Sequence, residues 1–594
     1  MAAVIGPRLE WHLPEPLLDP PAFAGFGRPV ATLLARRGFR DDAQLAAFLE
    51  GGAASLHDVL LMADADIALD RLSRALDHGE RIAIWGDYDA DGMTAVVVWS
   101  IALRALGAEA VRHVPDRLAD GYGLSLAGLE RLAAAGVSLV VTCDCGVVNV
   151  AEVEHARSLG VDVIVTDHHL PAGALPRAVA VVDPHRPDCT YPDPDLTGAG
   201  IAYKLATALL ARRGGAAADL AGVAAIGTVA DLAPMTGESR AIVGLGLAEL
   251  ATTARAGLRA LLARACEVPE RPTPRDLGFG LAPRINAAGR IAEAELAISL
   301  LLAEDPVEAE RLADELEAVH RTRRAMTTTA VAEAMELAEA LPGEGPLALR
   351  HDEWAPGIVG LIAGRLADRL GRPVAVAGAI GDELRGSVRA PADFHAAAAL
   401  EACADVLLKR GGHAGAGGFS VAAHGWEAFA ERFGALGRPF PADTGLQPSL
   451  GGGITVDLVL PAAHLGWQLA DEIARLAPFG PGHAEPMLAI TGLRVGSARR
   501  IGADGKHLSL RMLRGVETFD AVAFGCPEDR PLPEEGSFVD LVGTLERDTF
   551  QDQPRLRIRI EDYATADGSP LTARRRAAQP TTVPIPVVAP AAVG

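Results

Sequence analysis

Three aspartates, Asp87, Asp89 and Asp91, alternate in the segment GDYDADG that ends at Gly92. Carboxylates this close repel one another, and a bound cation relieves the repulsion. Gly92 lets the backbone turn sharply beside them. The plain alternative is a solvated turn. An EF-hand loop is a poor fit, because no Glu follows at the required spacing. Asp144 ends the apolar run SLVVTCDCG, where a lone aspartate reads first as a helix cap. Asp167, His168 and His169 end the run VDVIVTDHH. A carboxylate beside imidazoles is an ordinary ligand set for manganese, iron or zinc. Asp231, after the apolar part of AAIGTVADLAP, reads alone as a cap or turn residue. The combination says more than its members. Four carboxylate-bearing loops, one with two histidines, suit a pair of manganese or magnesium ions. Two such ions, roughly 3.5–4 Å apart, activate a water, polarise a phosphate and stabilise its leaving oxygen.

These loops need a scaffold that brings them to one edge. From residue 76 to 305 short apolar runs alternate with helical patterns, which predicts a parallel α/β sheet. Ligands of such sheets bind beyond the carboxyl ends of the strands, where the polar clusters fall. Residues 1–75 read as an N-terminal helical segment, with apolar spacing from about residue 28. Residues 306–341 read as one long linking helix, and 342–450 as a second α/β domain carrying GGHAGAGGF. Five short alternating runs within 451–566 fit a small β-barrel such as an OB-fold. The Ala-, Pro- and Val-rich tail, 567–594, is expected to be disordered.

The bulk numbers bound the reading. At 594 residues the chain is long enough for three or four domains. A net charge of −22 argues against a general nucleic-acid binder but leaves room for a local basic channel. Lysine is nearly absent, with only Lys204, Lys409 and Lys506, so the basic residues are arginines. A GC-rich genome explains that as simply as phosphate binding does. The six cysteines form no CxxC pair, which argues against structural zinc and fits a reduced compartment. No signal peptide and no membrane-spanning run is visible, so a cytoplasmic protein is expected.

GDYDADG, VTCDCG, VTDHH and IGTVADLAP stand in the order of the four motifs of the DHH phosphoesterases. GYGL, LTGAGIAYKL, PRINAAGR, WAPGIVGLIAGRL, GSVRA, GGHAGAGG and LAPFGPGHAEP continue the resemblance over about residues 28 to 565. Within that superfamily the set resembles the bacterial RecJ family. The resemblance implies a DHH domain, a DHH-associated domain and an OB-fold. It also implies hydrolysis of single-stranded DNA from the 5′ end to 5′-mononucleotides, in repair and recombination. Asp89 and Asp144 would hold one ion, and Asp91, Asp144, His168 and Asp231 the other, with Asp87 a further ligand or a group that supports one. His169 would contact the scissile phosphate or orient water. Arg117, Arg290, Ser387 and Arg389 would form a terminal-phosphate pocket, and His413 would face the metals. A RecQ-type helicase and a single-strand-binding protein are implied partners of a monomer.

The barrel's many arginines, with Phe524 and Phe550, suggest a stacking groove for single strands, although each phenylalanine reads first as core. The chain departs from the RecJ pattern at Ala355, Ala390 and His320. None of these is an implied ligand, so altered rate or DNA contact is the expected effect. Two rivals stay open. One is a DHH phosphodiesterase of very short or cyclic dinucleotides, against which the chain length and basic barrel stand. The other is a non-enzymatic DNA-binding scaffold, against which the complete ligand set stands.

Overall fold

The computed structural model describes residues 5–117, 121–341, 343, 345–438, 440, 453–502, 505–515, 517–548 and 555–566. The tail at 567–594 and Phe550 lie outside the described residues. The chain divides into two compact units. One comprises His57–Ala233 and Ile242–Ser449, and the other Met1–Leu56, Pro234–Ala241 and Leu450–Gly594.

The first unit is built on a five-stranded parallel sheet. Its strands are β1 (Ile82–Gly86), β2 (Val111–His113), β3 (Leu139–Cys143), β4 (Asp162–Thr166) and β5 (Ala180–Val182). Their spatial order is β2-β1-β3-β4-β5. β1 and β3 are buried along their whole length, as expected for strands covered on both faces. The strand order reverses between β1 and β3, and such a switch point opens a crevice at the carboxyl edge. The helix Ala90–Ala105 is buried from Ala90 to Leu103. It is apolar on every side, so other helices must enclose it. The helices Gly198–Arg212 and Leu220–Ala230 pack against it.

Within the same unit, a helix runs from Pro306 to Glu339. Asp305 caps it by accepting a hydrogen bond from the Glu308 amide, and Pro306 fits its first turn. Its 34 residues span about 51 Å. Its buried residues, from Ala309 and Leu312 to Ala334 and Ala338, recur at three- and four-residue steps. Beyond it lies a mixed sheet of β6 (Leu347–Arg350), β7 (Val374–Ile380), β8 (Glu383–Arg389), β9 (Lys409–Gly412) and β10 (Ala416–Ala422). Its order is β9-β10-β8-β7-β6.

The second unit holds a closed barrel. β11 (Leu458–Pro461) flanks it, and β12 (Leu488–Ile501), β13 (His507–Arg514), β14 (Glu517–Ala523), β15 (Phe538–Asp548) and β16 (Arg555–Thr565) form it. The ring runs β12-β13-β14-β16-β15 and closes back on β12. Alternate residues such as Leu508, Leu510 and Met512 fill the interior. The fold is therefore the expected DHH-like sheet, long helix, second α/β layer and OB-type barrel.

The structure divides the segment 1–75, which reads as one helical piece in the sequence. The helix Arg28–Arg36 buries Val30, Leu33 and Leu34 in the barrel unit's core with Leu469 and Ile473. The helix Ala65–His78 instead packs beside β5 of the parallel sheet. Both helices are amphipathic, and their sequences do not state which core each face joins. Among the described residues no single helix is long and apolar enough to cross a membrane.

Candidate metal centre

The parallel sheet delivers its acidic loops to one edge. Asp87 follows β1, Asp144 follows β3 and Asp167 follows β4. The β1 loop turns directly into the buried helix. Asp89 is its N-cap, accepting from the amides of Asp91 at 2.9 Å and Gly92 at 3.1 Å. Gly92 is required here, because a Cβ would lie 2.5 Å from the Asp87 nitrogen. Asp91 accepts from the Gly198 and Ala199 amides at 2.7 and 3.0 Å, at the N-terminus of Gly198–Arg212. That helix end stabilises a carboxylate. Gly198 allows the approach, since a Cβ there would sit 2.6 Å from Asp144 Cβ.

Asp231 corrects one sequence expectation. Its preceding run is a helix, Leu220–Ala230, and Asp231 is the C-cap. It therefore reaches the cluster from a helix end and not from the sheet edge. A short apolar run does not reveal its period when every face is buried.

Three groups of donors result: Asp87, Asp89 and Asp144; Asp91, His168 and Asp231; and Asp144, His168 and His169. Within each group the ligand atoms lie within 4.8 Å of one another. His168 Nε2 stands 3.0 Å from Asp144 Oδ1 and 3.8 Å from both Asp91 Oδ2 and Asp231 Oδ2. Asp144 is held at φ +63°, a left-handed conformation that costs energy in a residue other than glycine.

The electrostatics are those of carboxylates lacking countercharge. Burial pushes the Asp87, Asp91 and Asp144 carboxyls well above the ordinary range, and neighbouring carboxylates add to it: Asp89 at Asp87, Asp231 and Asp89 at Asp91, and Asp91, Asp89 and Asp87 at Asp144. Asp231 is pushed up to about 7 by burial and by Asp89. Asp87 Oδ1 is buried without a hydrogen-bond partner. Burial lowers His168 to about 4, so it is a neutral imidazole able to ligate. Burial also disfavours the charged form of His169, but its hydrogen bond to Asp167 prevails and raises it to about 9. These residues fit divalent cations: an orphaned buried oxygen, repelling carboxylates and one neutral imidazole are what such ions satisfy.

Asp167 fixes the two histidines. Its Oδ1 accepts from the amides of His168 and His169 and from His169 Nδ1, and its Oδ2 accepts from the Val147 amide. Tyr122, within GYGL, donates to the Asp144 carbonyl at 3.0 Å and stands 3.1 Å from His169 Nδ1. The Asn286 side chain, within PRINAAGR, accepts from the Ala90 amide. Sequence reasoning gave neither residue a role, although both lie in quoted motifs. It also passed over Asp183 and His185. There AVAVVDPH ends an apolar run in an acidic residue, the signal read at the other strands.

The expected phosphate pocket gathers guanidiniums. Arg117 lies 4.6 Å over the Tyr88 ring, and its carbonyl accepts from Arg385. Arg290 donates to the Gly357 carbonyl at 3.1 Å. Arg389 donates to Ser387 Oγ at 2.6 Å, and Ser387 donates to the Gly417 carbonyl. Burial, Arg117 and Arg323 lower Arg290 to about 9. Among the described residues no carboxylate lies within ion-pair distance of Arg117, Arg290 or Arg389. His413 is pushed down by partial burial and by the nearby charges of Arg389 and His169. Of the departures, Ala355 and Ala390 pack at hydrophobic cores, and His320 is buried with Nδ1 3.2 Å from the Pro283 carbonyl.

The barrel's basic residues are mostly engaged. Arg500 donates to five main-chain carbonyls between Gly505 and Arg530. Arg514 pairs with Glu517, Arg547 with Asp471, Arg557 with Glu546 and Arg559 with Glu485. Arg494 and Arg499 have no ion pair among the described residues. Phe524, read first as core, is 58% exposed and meets the His507 ring edge-on.

Comparison with known proteins agrees with this geometry. The DHH family N-terminal domain matches residues 81–228, the DHHA1 domain 338–436 and the RecJ OB domain 456–562. The single-stranded-DNA-specific exonuclease RecJ of Bacillus subtilis is 34% identical over 91% of this chain and 68% of its own length. That of Salmonella typhimurium is 36% identical over 84% of this chain and 89% of its own. The crystal structure of RecJ in complex with Mn2+ from Thermus thermophilus superposes with a TM-score of 0.78 at 31% identity. The match covers 94% of this chain and 79% of that one.

Proposed function

We propose, from the premise that this chain belongs to the RecJ family of single-stranded-DNA-specific exonucleases, that it hydrolyses single-stranded DNA stepwise from the 5′ end with two divalent ions. The observation that carries this reading is that Asp144 belongs both to the group with Asp87 and Asp89 and to the group with His168 and His169, while His168 also joins Asp91 and Asp231. Asp89 and Asp144, with Asp87, would hold one ion. Asp91, Asp144, His168 and Asp231 would hold the other. Mn2+ or Mg2+ suits these oxygen-rich donors. When bound, such a pair supplies Lewis acidity to the attacking and leaving oxygens of an in-line displacement.

The chain's own residues do the rest. His169, its Nδ1 committed to Asp167, offers Nε2 to a non-bridging oxygen of the scissile phosphate or to the attacking water. Arg117, Arg290, Ser387 and Arg389 bind the terminal 5′-phosphate, whose double charge matches unpaired guanidiniums. Anchoring the end beside the metals sets the direction and releases 5′-mononucleotides. His413 approaches from the second α/β layer. Residues 76–305 form the catalytic domain, 306–341 the linking helix, 342–450 the DHH-associated domain and 451–566 the strand-binding barrel. A cytoplasmic monomer acting in repair and recombination, with a RecQ-type helicase and a single-strand-binding protein, rests on the family alone.

Oligonucleotides labelled at either end test the reading. With Mn2+, the 5′ label is released at once as mononucleotide while the 3′-labelled strand shortens progressively, and chelator stops both. A long strand that survives while a dinucleotide is cleaved would transfer the chemistry to a short-substrate phosphodiesterase.

A further inference from the structure

We propose that His185 is a positioning residue that grips the main chain of the Asp-His-His loop, so that His168 presents its nitrogen to a metal ion at fixed geometry. The inference rests on reading His168 as a ligand. His185 Nδ1 lies 2.7 Å from the His168 carbonyl oxygen. A carbonyl only accepts, so Nδ1 carries the proton. On the other side of the same residue, Asp167 Oδ1 accepts from the His168 and His169 amides at 2.8 and 3.2 Å. The peptide groups before and after His168 are thus both held, and only its side-chain torsions stay free.

His185 is itself fixed. It follows β5 in a tight loop, where fully buried Asp183 accepts from the His185 amide at 2.7 Å. The next residue, Arg186, donates to the Val181 carbonyl and to Asp64 Oδ2, both at 2.6 Å. It also pairs with Asp188 at 2.7 Å. A chain of bonds therefore runs from the edge strand through His185 to the ligand loop. The His185 ring is partly exposed, at 28%, so its replacement leaves the core packing intact. Partners that orient a metal-bound histidine change metal affinity by about 10- to 100-fold when removed. This one acts on the main chain where such partners usually act on the ring.

Two variants separate a positioning role from a structural one. His185→Asn keeps a donor close to the position of Nδ1, and His185→Leu has a similar volume with none. Titration of the full chain with Mn2+, following free Mn2+ by electron paramagnetic resonance, reads affinity without catalysis. His185→Leu is expected to weaken one ion by about 10- to 100-fold. It should lower kcat at limiting Mn2+ and leave KM for DNA unchanged. His185→Asn should restore most of both. Mn2+ binding by His185→Leu equal to wild type, or His185→Asn no better than His185→Leu, would overturn the proposal. Should His185→Leu fail to fold, His185→Ala carries the same expectation. A wild-type chain that binds Mn2+ yet leaves single-stranded DNA intact would sink the exonuclease reading while the metal titration still judges His185.

Discussion

Two aspartates, one in each unit, are equally buried and differently satisfied. Asp144 at the sheet edge and Asp562 in the barrel are each 3% exposed. Asp562 Oδ2 accepts from the Arg8 and Leu9 amides and from Trp11 Nε1, and its Oδ1 accepts from Arg530 and the Tyr563 amide. Asp144 has His168 at 3.0 Å, and four neighbouring carboxylates raise its pKa after burial does. The arginines divide in the same way. Arg530 lies against Asp562, whereas Arg290, Arg117 and Arg389 crowd together with no carboxylate in ion-pair reach among the described residues. Balanced buried charge builds structure, and unbalanced buried charge awaits a ligand. Here the unbalanced acids fit cations and the unbalanced bases fit a phosphate.

The contrast can be broken by substitution, and the largest effect belongs to the sheet edge. Asp144→Ala should reduce cleavage to the level of the chelator control while DNA binding, measured by fluorescence anisotropy, largely survives. Asp562→Ala should leave the metal chemistry and destabilise the barrel unit by about 3–5 kcal/mol, because it strands the Arg530 guanidinium and four N–H groups. Calorimetry of the full chain reads that loss. Arg389→Ala should lower kcat/KM for a 5′-phosphorylated strand by roughly 10- to 150-fold, the worth of one charge-assisted hydrogen bond at about 1.5–3 kcal/mol. A 5′-hydroxyl strand should lose far less. The smallest effect is expected at Arg499. Its replacement by Ala should lower the salt dependence of DNA binding by about 0.7 in slope, one phosphate contact on a single strand.

The same contrast explains what the sequence disclosed. Strands β1, β3 and β4 were legible because largely apolar runs ended abruptly in Asp87, Asp144 and Asp167. The barrel was legible because its five runs alternate at a period of two. Asp231 was misplaced, since an Ala- and Gly-rich buried helix shows no distinguishing period. The barrel arginines looked available because a sequence lists charges without their partners, and Arg500, Arg547 and Arg559 proved to be engaged. The grip of His185 on His168 joins residues whose bond is main-chain on one side, so residue identity alone gives no hint of it.

The central claim is that Asp144 joins two ions in one site, and counting bound metal tests it most directly. Equilibrium dialysis against saturating Mn2+, followed by elemental analysis, should find two ions per wild-type chain and at least one fewer in Asp144→Ala. One ion per wild-type chain, or two retained in Asp144→Ala, would contradict it.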